Sequence, residues 1–108
     1  MDNRSLYRAI LNSARQLGRG GVQVPSRRLL HNLGENYPEF AELTFEMLVD
    51  PVEYCAGKGW LEYEPNRGDG RVMEFLCKLK AAGGDELMKD PEEFGKSASA
   101  GWRTLRRG

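Results

Sequence analysis

The chain has 108 residues, of which 40% are hydrophobic and 30% are charged, so it can bury one modest core but not two. Its 16 Lys and Arg residues balance 16 Asp and Glu residues, which excludes the strong overall positive charge of many nucleic-acid-binding proteins. No run of about 18 apolar residues occurs, and residues 1–4 lack the apolar character of a signal peptide. We therefore expect a cytoplasmic protein that does not contact a membrane.

Charge is distributed in blocks along this neutral chain. Residues 1–30 set Asp2 against a series of bases: Arg4, Arg8, Arg15, Arg19, Arg27 and Arg28. Residues 31–64 set Lys58 against a series of acids: Glu35, Glu39, Glu42, Glu46, Asp50, Glu53, Glu62 and Glu64. Such blocks predict a basic face and an acidic face. A protein with zero net charge can then still carry a positively charged binding surface. An equal alternative is that the two faces complement each other, within the monomer or across a dimer.

The first part of the chain predicts two helices with a short strand between them. Residues 5–17 place apolar side chains at helical spacing, and Gly18 is expected to close this helix. Residues 22–24 are expected to form a very short strand. The second helix is predicted to begin with Ser26 as its N-cap and to end at Gly34.

A third helix is predicted over residues 44–56, after a helical lead-in at residues 38–43. Pro51 falls inside it, and a proline in a helix removes one backbone hydrogen bond and clashes with the preceding turn. The sequence therefore predicts either a kink near Val49 or a break at Asp50. The side chains expected on the core side are Met47, Leu48, Val52 and Cys55.

A β-hairpin is predicted after the third helix. A glycine turn at residues 57–59 leads into a strand at residues 60–64, whose apolar and polar side chains alternate. Residues 65–70 are rich in turn-forming residues and are expected to form a flexible loop before a second strand at residues 71–79. A short closing helix is predicted over residues 81–88.

These elements predict a mostly helical α+β domain over residues 1–90, with a three-helix core, a hairpin and a short closing helix. Residues 91–108 are expected to form a basic tail that is mobile when free. In this tail, Trp102 is expected either to fold back onto the core or to stack on a nucleic-acid base. Cys55 and Cys77 fall on apolar positions without metal-like spacing, so buried free thiols are predicted.

Two segments carry a resemblance to a known family: YCAGKGWL at residues 54–61 and LKAAGGDELM at residues 79–88. Together with the elements around them, they resemble small winged helix-turn-helix proteins of bacteria and Mu-like prophages, over roughly residues 5–88. The resemblance implies a winged-helix fold in which the hairpin is the wing. It also implies a DNA-binding transcriptional regulator, with its third helix in the major groove and its wing on phosphates or in the minor groove.

Several residues would contact DNA in this docking mode. They are Arg27, Arg28, Thr44, Glu46, Tyr54, Lys58, Arg67 and Arg71. The arginines of the second helix and of the wing would contact phosphates. Thr44, Glu46 and Tyr54 would form the reading surface of the third helix.

The acidic character of the third helix supports an alternative function. Glu46, Asp50 and Glu53 are expected to face solvent, where DNA phosphates would repel them. The alternative is a winged helix that serves as a protein-interaction or dimerisation module without direct DNA contact. In that case the third helix and the strand with Trp60 and Tyr63 would form the partner surface.

No residue pattern predicts catalysis. His31 is the only histidine, and a partly buried structural role is expected for it in the second helix. No serine or cysteine is placed with a histidine and an acid in a recognisable order, and no metal-ligand spacing occurs. We therefore expect a protein that is not an enzyme and binds no cofactor, metal or small-molecule ligand.

Overall fold

The structure, a computed structural model, describes residues 3–90 and 92–94. In this part of the chain, four α-helices pack with one three-stranded antiparallel sheet. The elements are α1 (Asn3–Leu17), β1 (Val24–Pro25), α2 (Ser26–Asn36), a 3₁₀ turn (Pro38–Phe40), α3 (Phe45–Gly57), β2 (Leu61–Gly68), β3 (Arg71–Leu79) and α4 (Ala81–Leu87). The predicted α+β class is confirmed, and the arrangement is compatible with a winged helix.

One hydrophobic core lies between the helices and one face of the sheet. α1 contributes the predicted apolar stripe, and α2, α3 and β3 contribute the residues that oppose it. The largest fully buried aliphatic and aromatic side chains are Ile10, Leu11, Val24, Leu29, Leu33, Leu48, Val52, Phe75 and Phe94. Removing these side chains from water supplies the main driving force for folding.

The short strand before α2 lies slightly later than predicted. β1 comprises Val24 and Pro25 rather than residues 22–24, and the side chain of Val22 is 55% exposed. Val24 pairs with Cys77 of β3, and the strand order in the sheet is β1-β3-β2. β1 therefore adds a third strand to the hairpin.

The prediction that Ser26 caps α2 is wrong. Pro25 occupies the N-cap position, and no side-chain hydrogen bond caps the helix. Ser26 is buried, and its hydroxyl oxygen accepts a hydrogen bond of 3.2 Å from the backbone N–H of Phe75. The hydroxyl thus joins α2 to β3, because a buried N–H without a partner would be costly.

α2 does not end at Gly34 but continues to Asn36. Glycine adopts helical dihedral angles with only a modest loss of stability, so it does not by itself stop a helix. The helix ends where Pro38 follows Tyr37, which has extended dihedral angles of −132° and 94°. A proline disfavours the helical region for the residue before it, which explains this boundary.

α3 is continuous, so the predicted break at Asp50 is wrong. Thr44 is the N-cap, and its hydroxyl accepts a hydrogen bond of 3.3 Å from the backbone N–H of Met47. Pro51 removes the N–H that would bond to the Met47 carbonyl. Met47, which was predicted on the core side, is 53% exposed, so this carbonyl belongs to a surface residue. Buried side chains on the opposite side, including Val52, hold the helix together across the proline.

The hairpin is tighter than predicted. β2 continues to Gly68, so the turn consists of Asp69 and Gly70 rather than a flexible loop over residues 65–70. Asp69 and Gly70 have φ angles of 54° and 78°, as a two-residue type I′ turn requires. The register shifts between Asn66 and Arg67, which indicates a β-bulge near the turn.

The core extends past the predicted domain boundary at residue 90. Phe94 is buried, and its ring centroid lies 5.4 Å from that of Trp60. The predictions for residues 95–108, including the mobile tail and the position of Trp102, fall outside the described residues. Cys55 and Cys77 are buried free thiols, as predicted, and burial raises the pKa of each to about 12.

The contact between α4 and the start of β2 generates the first testable prediction. A Cβ atom at Gly83 would collide with the carbonyl oxygen of Trp60 and with the side chain of Leu79. Backbone cannot yield as a flexible side chain can, so we expect Gly83→Ala to lower the free energy of unfolding by about 1–3 kcal/mol. Urea denaturation followed by circular dichroism measures this change.

The neighbouring glycine provides the matched control. A Cβ at Gly84 would lie 3.8 Å from the nearest atom, Cδ2 of Leu79, which is an ordinary contact. We expect Gly84→Ala to raise the free energy of unfolding by up to about 1 kcal/mol, because alanine is the better helix former. Equal effects of the two substitutions would contradict the close approach of α4 to Trp60.

Candidate functional site

The outer side of α3 carries acidic and apolar side chains and no base. We call it the α3 face; its members are Glu46, Met47, Asp50 and Tyr54, all exposed. No Lys or Arg occurs in α3. Thr44, Glu46 and Tyr54 of the predicted reading surface therefore reach solvent, but Thr44 already uses its hydroxyl oxygen as the helix cap. A ligand that approaches α3 from solvent meets carboxylates first.

Tyr54 is held in place by its neighbours. Its ring stacks on that of Tyr7 with a centroid distance of 4.4 Å and an interplanar angle of 11°. The ring of Trp60 contacts it edge-on at 6.3 Å, and Nζ of Lys58 lies 5.4 Å from its centroid. Tyr54 and Lys58, two of the residues predicted to contact DNA, thus lie together. One face of the Tyr54 ring is already covered by Tyr7 and cannot stack on a base.

Glu53 joins α3 to the hairpin. It was predicted to face solvent, but it is only partly exposed and accepts a hydrogen bond of 2.8 Å from the hydroxyl of Tyr63. Nη2 of Arg67 lies 3.8 Å from Oε2 of Glu53. The side chain of Arg67 is 58% exposed, so this ion pair contributes little to stability, about 0–1 kcal/mol. It nevertheless gives this arginine a carboxylate partner that a phosphate would have to replace.

Arg71 differs from Arg67 in its surroundings. It is exposed at the start of β3, opposite Gly68 and beside the turn. Among the described residues, no carboxylate lies within ion-pair distance of it. Of the two hairpin arginines predicted to contact DNA, Arg71 is therefore the one that is available.

The remaining surface of the hairpin is largely acidic. Glu62, Glu64 and Glu74 are exposed on the side of the sheet that faces away from the core. The side-chain amide of Gln23 donates to Glu64 at 3.1 Å, and that of Asn66 donates to Glu74 at 3.2 Å. These carboxylates make the hairpin a poor surface for a polyanion, apart from the turn itself.

Exposed arginines gather where the end of α1 meets the start of α2. We call this surface the basic end; its members are Arg15, Arg19, Arg27 and Arg28, all exposed. Leu17 of α1 lines one shallow cleft with Arg27, Arg28, His31 and Asn32 of α2, which shows that the two helix ends adjoin. The sequence predictions included Arg27 and Arg28 but missed Arg15 and Arg19, although the basic block over residues 1–30 was a signal for them.

The helices themselves do not explain why Arg27 and Arg28 lie where they do. Cations stabilise the C-terminal end of a helix, which accounts for Arg15 in the last turn of α1. Arg27 and Arg28 lie in the first turn of α2, where the helix dipole disfavours a positive charge. In the described part of the chain, no carboxylate lies within ion-pair distance of either. A negatively charged ligand would compensate for this arrangement.

His31 does not fit the role that was expected for it. Its side chain is 78% exposed, and its Nε2 lies 3.9 Å from Oε1 of Glu35 one helical turn later. It is thus a surface residue beside the basic end rather than a partly buried one. Across residues 3–90 and 92–94, no group of three or more His, Cys, Asp and Glu side chains is placed to hold a metal ion.

No helix in the described residues combines the length and the apolar character that crossing a membrane requires. In comparisons with known proteins, no family model, no curated protein and no solved structure matches this chain.

The contact between Tyr63 and Glu53 generates a prediction about alkaline pH. Burial raises the pKa of the Tyr63 hydroxyl, and its hydrogen bond to Glu53 and the charge of Glu53 raise it further. The neutral phenol is thus favoured in the folded state, and its stabilising contribution is complete below a pH of about 10 and is lost as the pH rises above that value. We expect Tyr63→Phe to reduce the loss of stability above pH 10.

Urea denaturation of both proteins between pH 8 and pH 11 measures this effect. The buried thiols of Cys55 and Cys77 also destabilise the fold at alkaline pH, but they do so equally in the two proteins. The difference between the two pH profiles therefore isolates Tyr63. Parallel profiles would contradict the hydrogen bond to Glu53.

Proposed function

We propose that this protein is a winged helix-turn-helix protein that binds double-stranded DNA, and that the basic end makes its main phosphate contacts. The order of elements supports the fold: a helix, a short strand, two helices, and a hairpin that pairs with that strand. The observation that carries the function is the group of exposed arginines at the basic end. Neutralisation of phosphates by such side chains supplies most of the affinity of non-specific DNA binding.

The position of Arg27 and Arg28 suits a helix-turn-helix protein. In that motif the first of the two helices crosses the DNA backbone, and α2 occupies this place here. The start of α2 has no side-chain cap, so backbone N–H groups of its first turn are free of side-chain acceptors. An arginine pair beside such groups can bind a phosphate with charge and with hydrogen bonds.

The charges on α3 do not favour the docking mode that the family resemblance implies, in which this helix enters the major groove. Glu46 and Asp50 are exposed on it, and no base in α3 offsets their repulsion from phosphates. We propose that α3 stays out of the major groove, and that Arg71 at the turn supplies a second phosphate contact. Sequence preference would then come mainly from the shape and deformability of the duplex. A role as a cytoplasmic transcriptional regulator of phage or bacterial type is part of this proposal.

Salt dependence of DNA binding tests the role of the basic end. The binding constant K falls as salt concentration rises, so a plot of log K against log salt concentration has a negative slope. Each lost phosphate contact makes this slope less steep by about 0.9. We expect the double variant Arg27→Ala, Arg28→Ala to bind a mixed-sequence duplex more weakly at low salt. Its slope should be less steep by about 1.8. Fluorescence anisotropy with a labelled duplex at several salt concentrations measures both quantities.

The matched control is Arg67→Ala, which removes an exposed arginine that already has Glu53 as a partner. We expect its slope to equal that of the unmodified protein. An unchanged slope in the double variant, with a smaller slope for Arg67→Ala, would mean that the hairpin rather than the basic end holds the phosphates. Absence of binding by the unmodified protein at low salt would refute DNA binding altogether.

A second function is supported by the α3 face. Met47 and Tyr54 are 53% and 43% exposed beside Glu46 and Asp50, a combination of apolar and acidic groups that suits a cationic protein segment. Methionine adapts its shape readily and is common at surfaces that bind peptides. The second candidate function is therefore a protein-interaction module, in which α3 binds a segment with basic and apolar residues.

A further inference from the structure

We propose that the α3 face is the docking site of the chain's own residues 95–108. The face is exposed, it carries carboxylates and apolar groups, and no base of α3 neutralises it. Lys58, just beyond α3, lies over the Tyr54 ring, but no described base forms an ion pair with Glu46 or Asp50. An occupant that neutralises these two carboxylates must therefore bring positive charge together with apolar side chains. This proposal does not depend on DNA binding.

Residues 95–108 have the complementary composition. They contain four bases and no Asp or Glu; the bases are Lys96, Arg103, Arg106 and Arg107. They also contain Trp102 and Leu105, which can cover the exposed apolar atoms of Met47 and Tyr54. Charge complementarity and apolar contact thus select the same segment.

The described chain ends within reach of the α3 face. Phe94 is buried with its ring centroid 5.4 Å from that of Trp60, and the Trp60 ring lies 6.3 Å from that of Tyr54. The last described residue is thus two ring contacts away from Tyr54, near the C-terminal end of α3. A segment of 14 residues reaches up to about 46 Å when extended, whereas α3 is only about 20 Å long. The segment can run back along the helix as far as Glu46.

Residues 95–108 are covalently attached to the domain, so weak contacts are enough to hold them on the α3 face. Exposed ion pairs are individually weak and are screened by salt. A short linker, however, produces an effective concentration on the order of millimolar. An intrinsic Kd of about 1 mM is then enough to keep the face half occupied, and added salt should release the segment.

Nuclear magnetic resonance of the full-length, ¹⁵N-labelled protein tests this proposal. The variant Arg103→Glu, Arg106→Glu, Arg107→Glu reverses the charge of the segment. Outside the substituted segment, we expect the largest amide shift changes at residues 46–54, independent of protein concentration. Added salt should shift the same amides of the unmodified protein in the same direction. The charge-preserving variant Arg103→Lys, Arg106→Lys, Arg107→Lys should leave them near their original positions.

A second triple variant is the matched control. Arg19→Glu, Arg27→Glu, Arg28→Glu reverses three exposed arginines of the basic end and should leave the amides of α3 unchanged. Changes confined to residues 95–108, or centred on another face, would overturn the proposal. Changes at α3 that appear only at high protein concentration would also overturn it, because the occupant would then be the segment of a second copy.

Discussion

The rotation of α3 about its own axis decides which charges this molecule presents. Leu48, Val52 and Cys55 are fully buried, and their helical spacing fixes one side of α3 toward the core. Glu46 and Asp50 must then face solvent. A turn of the helix that buried them would leave carboxylates without partners in the core, at a cost of several kcal/mol for each. The acidic α3 face is thus a consequence of packing.

Neutral net charge therefore hides two surfaces of opposite sign. Arg27 and Arg28 are exposed at the start of α2, and among the described residues no carboxylate lies within ion-pair distance of either. Glu46 and Asp50 are exposed on α3, and no described base forms an ion pair with them. The carboxylates of α3 therefore do not neutralise Arg27 and Arg28 by direct contact. The proposals for the two surfaces are compatible with each other for this reason.

Local patterns in the sequence predicted the elements but not the use that the fold makes of individual side chains. The spacing of apolar residues was enough to predict α1 and the presence of the two hairpin strands, because burial follows periodicity. It did not predict that β2 continues to Gly68. Whether Ser26 caps α2 or accepts from Phe75 depends on a strand 49 residues away. Likewise, Pro51 is tolerated because tertiary packing holds α3 together. The pairing of Arg67 with Glu53 arises only when the hairpin packs on the helix.

The most direct test of the division between the two surfaces is a titration of the ¹⁵N-labelled full-length protein with a short mixed-sequence duplex at low salt. We expect the largest amide shift changes at residues 15–19 and 26–28, and only small changes at residues 46–54. The largest changes at α3, with residues 26–28 unaffected, would contradict the assignment of DNA binding to the basic end. They would restore the docking mode in which the third helix enters the major groove.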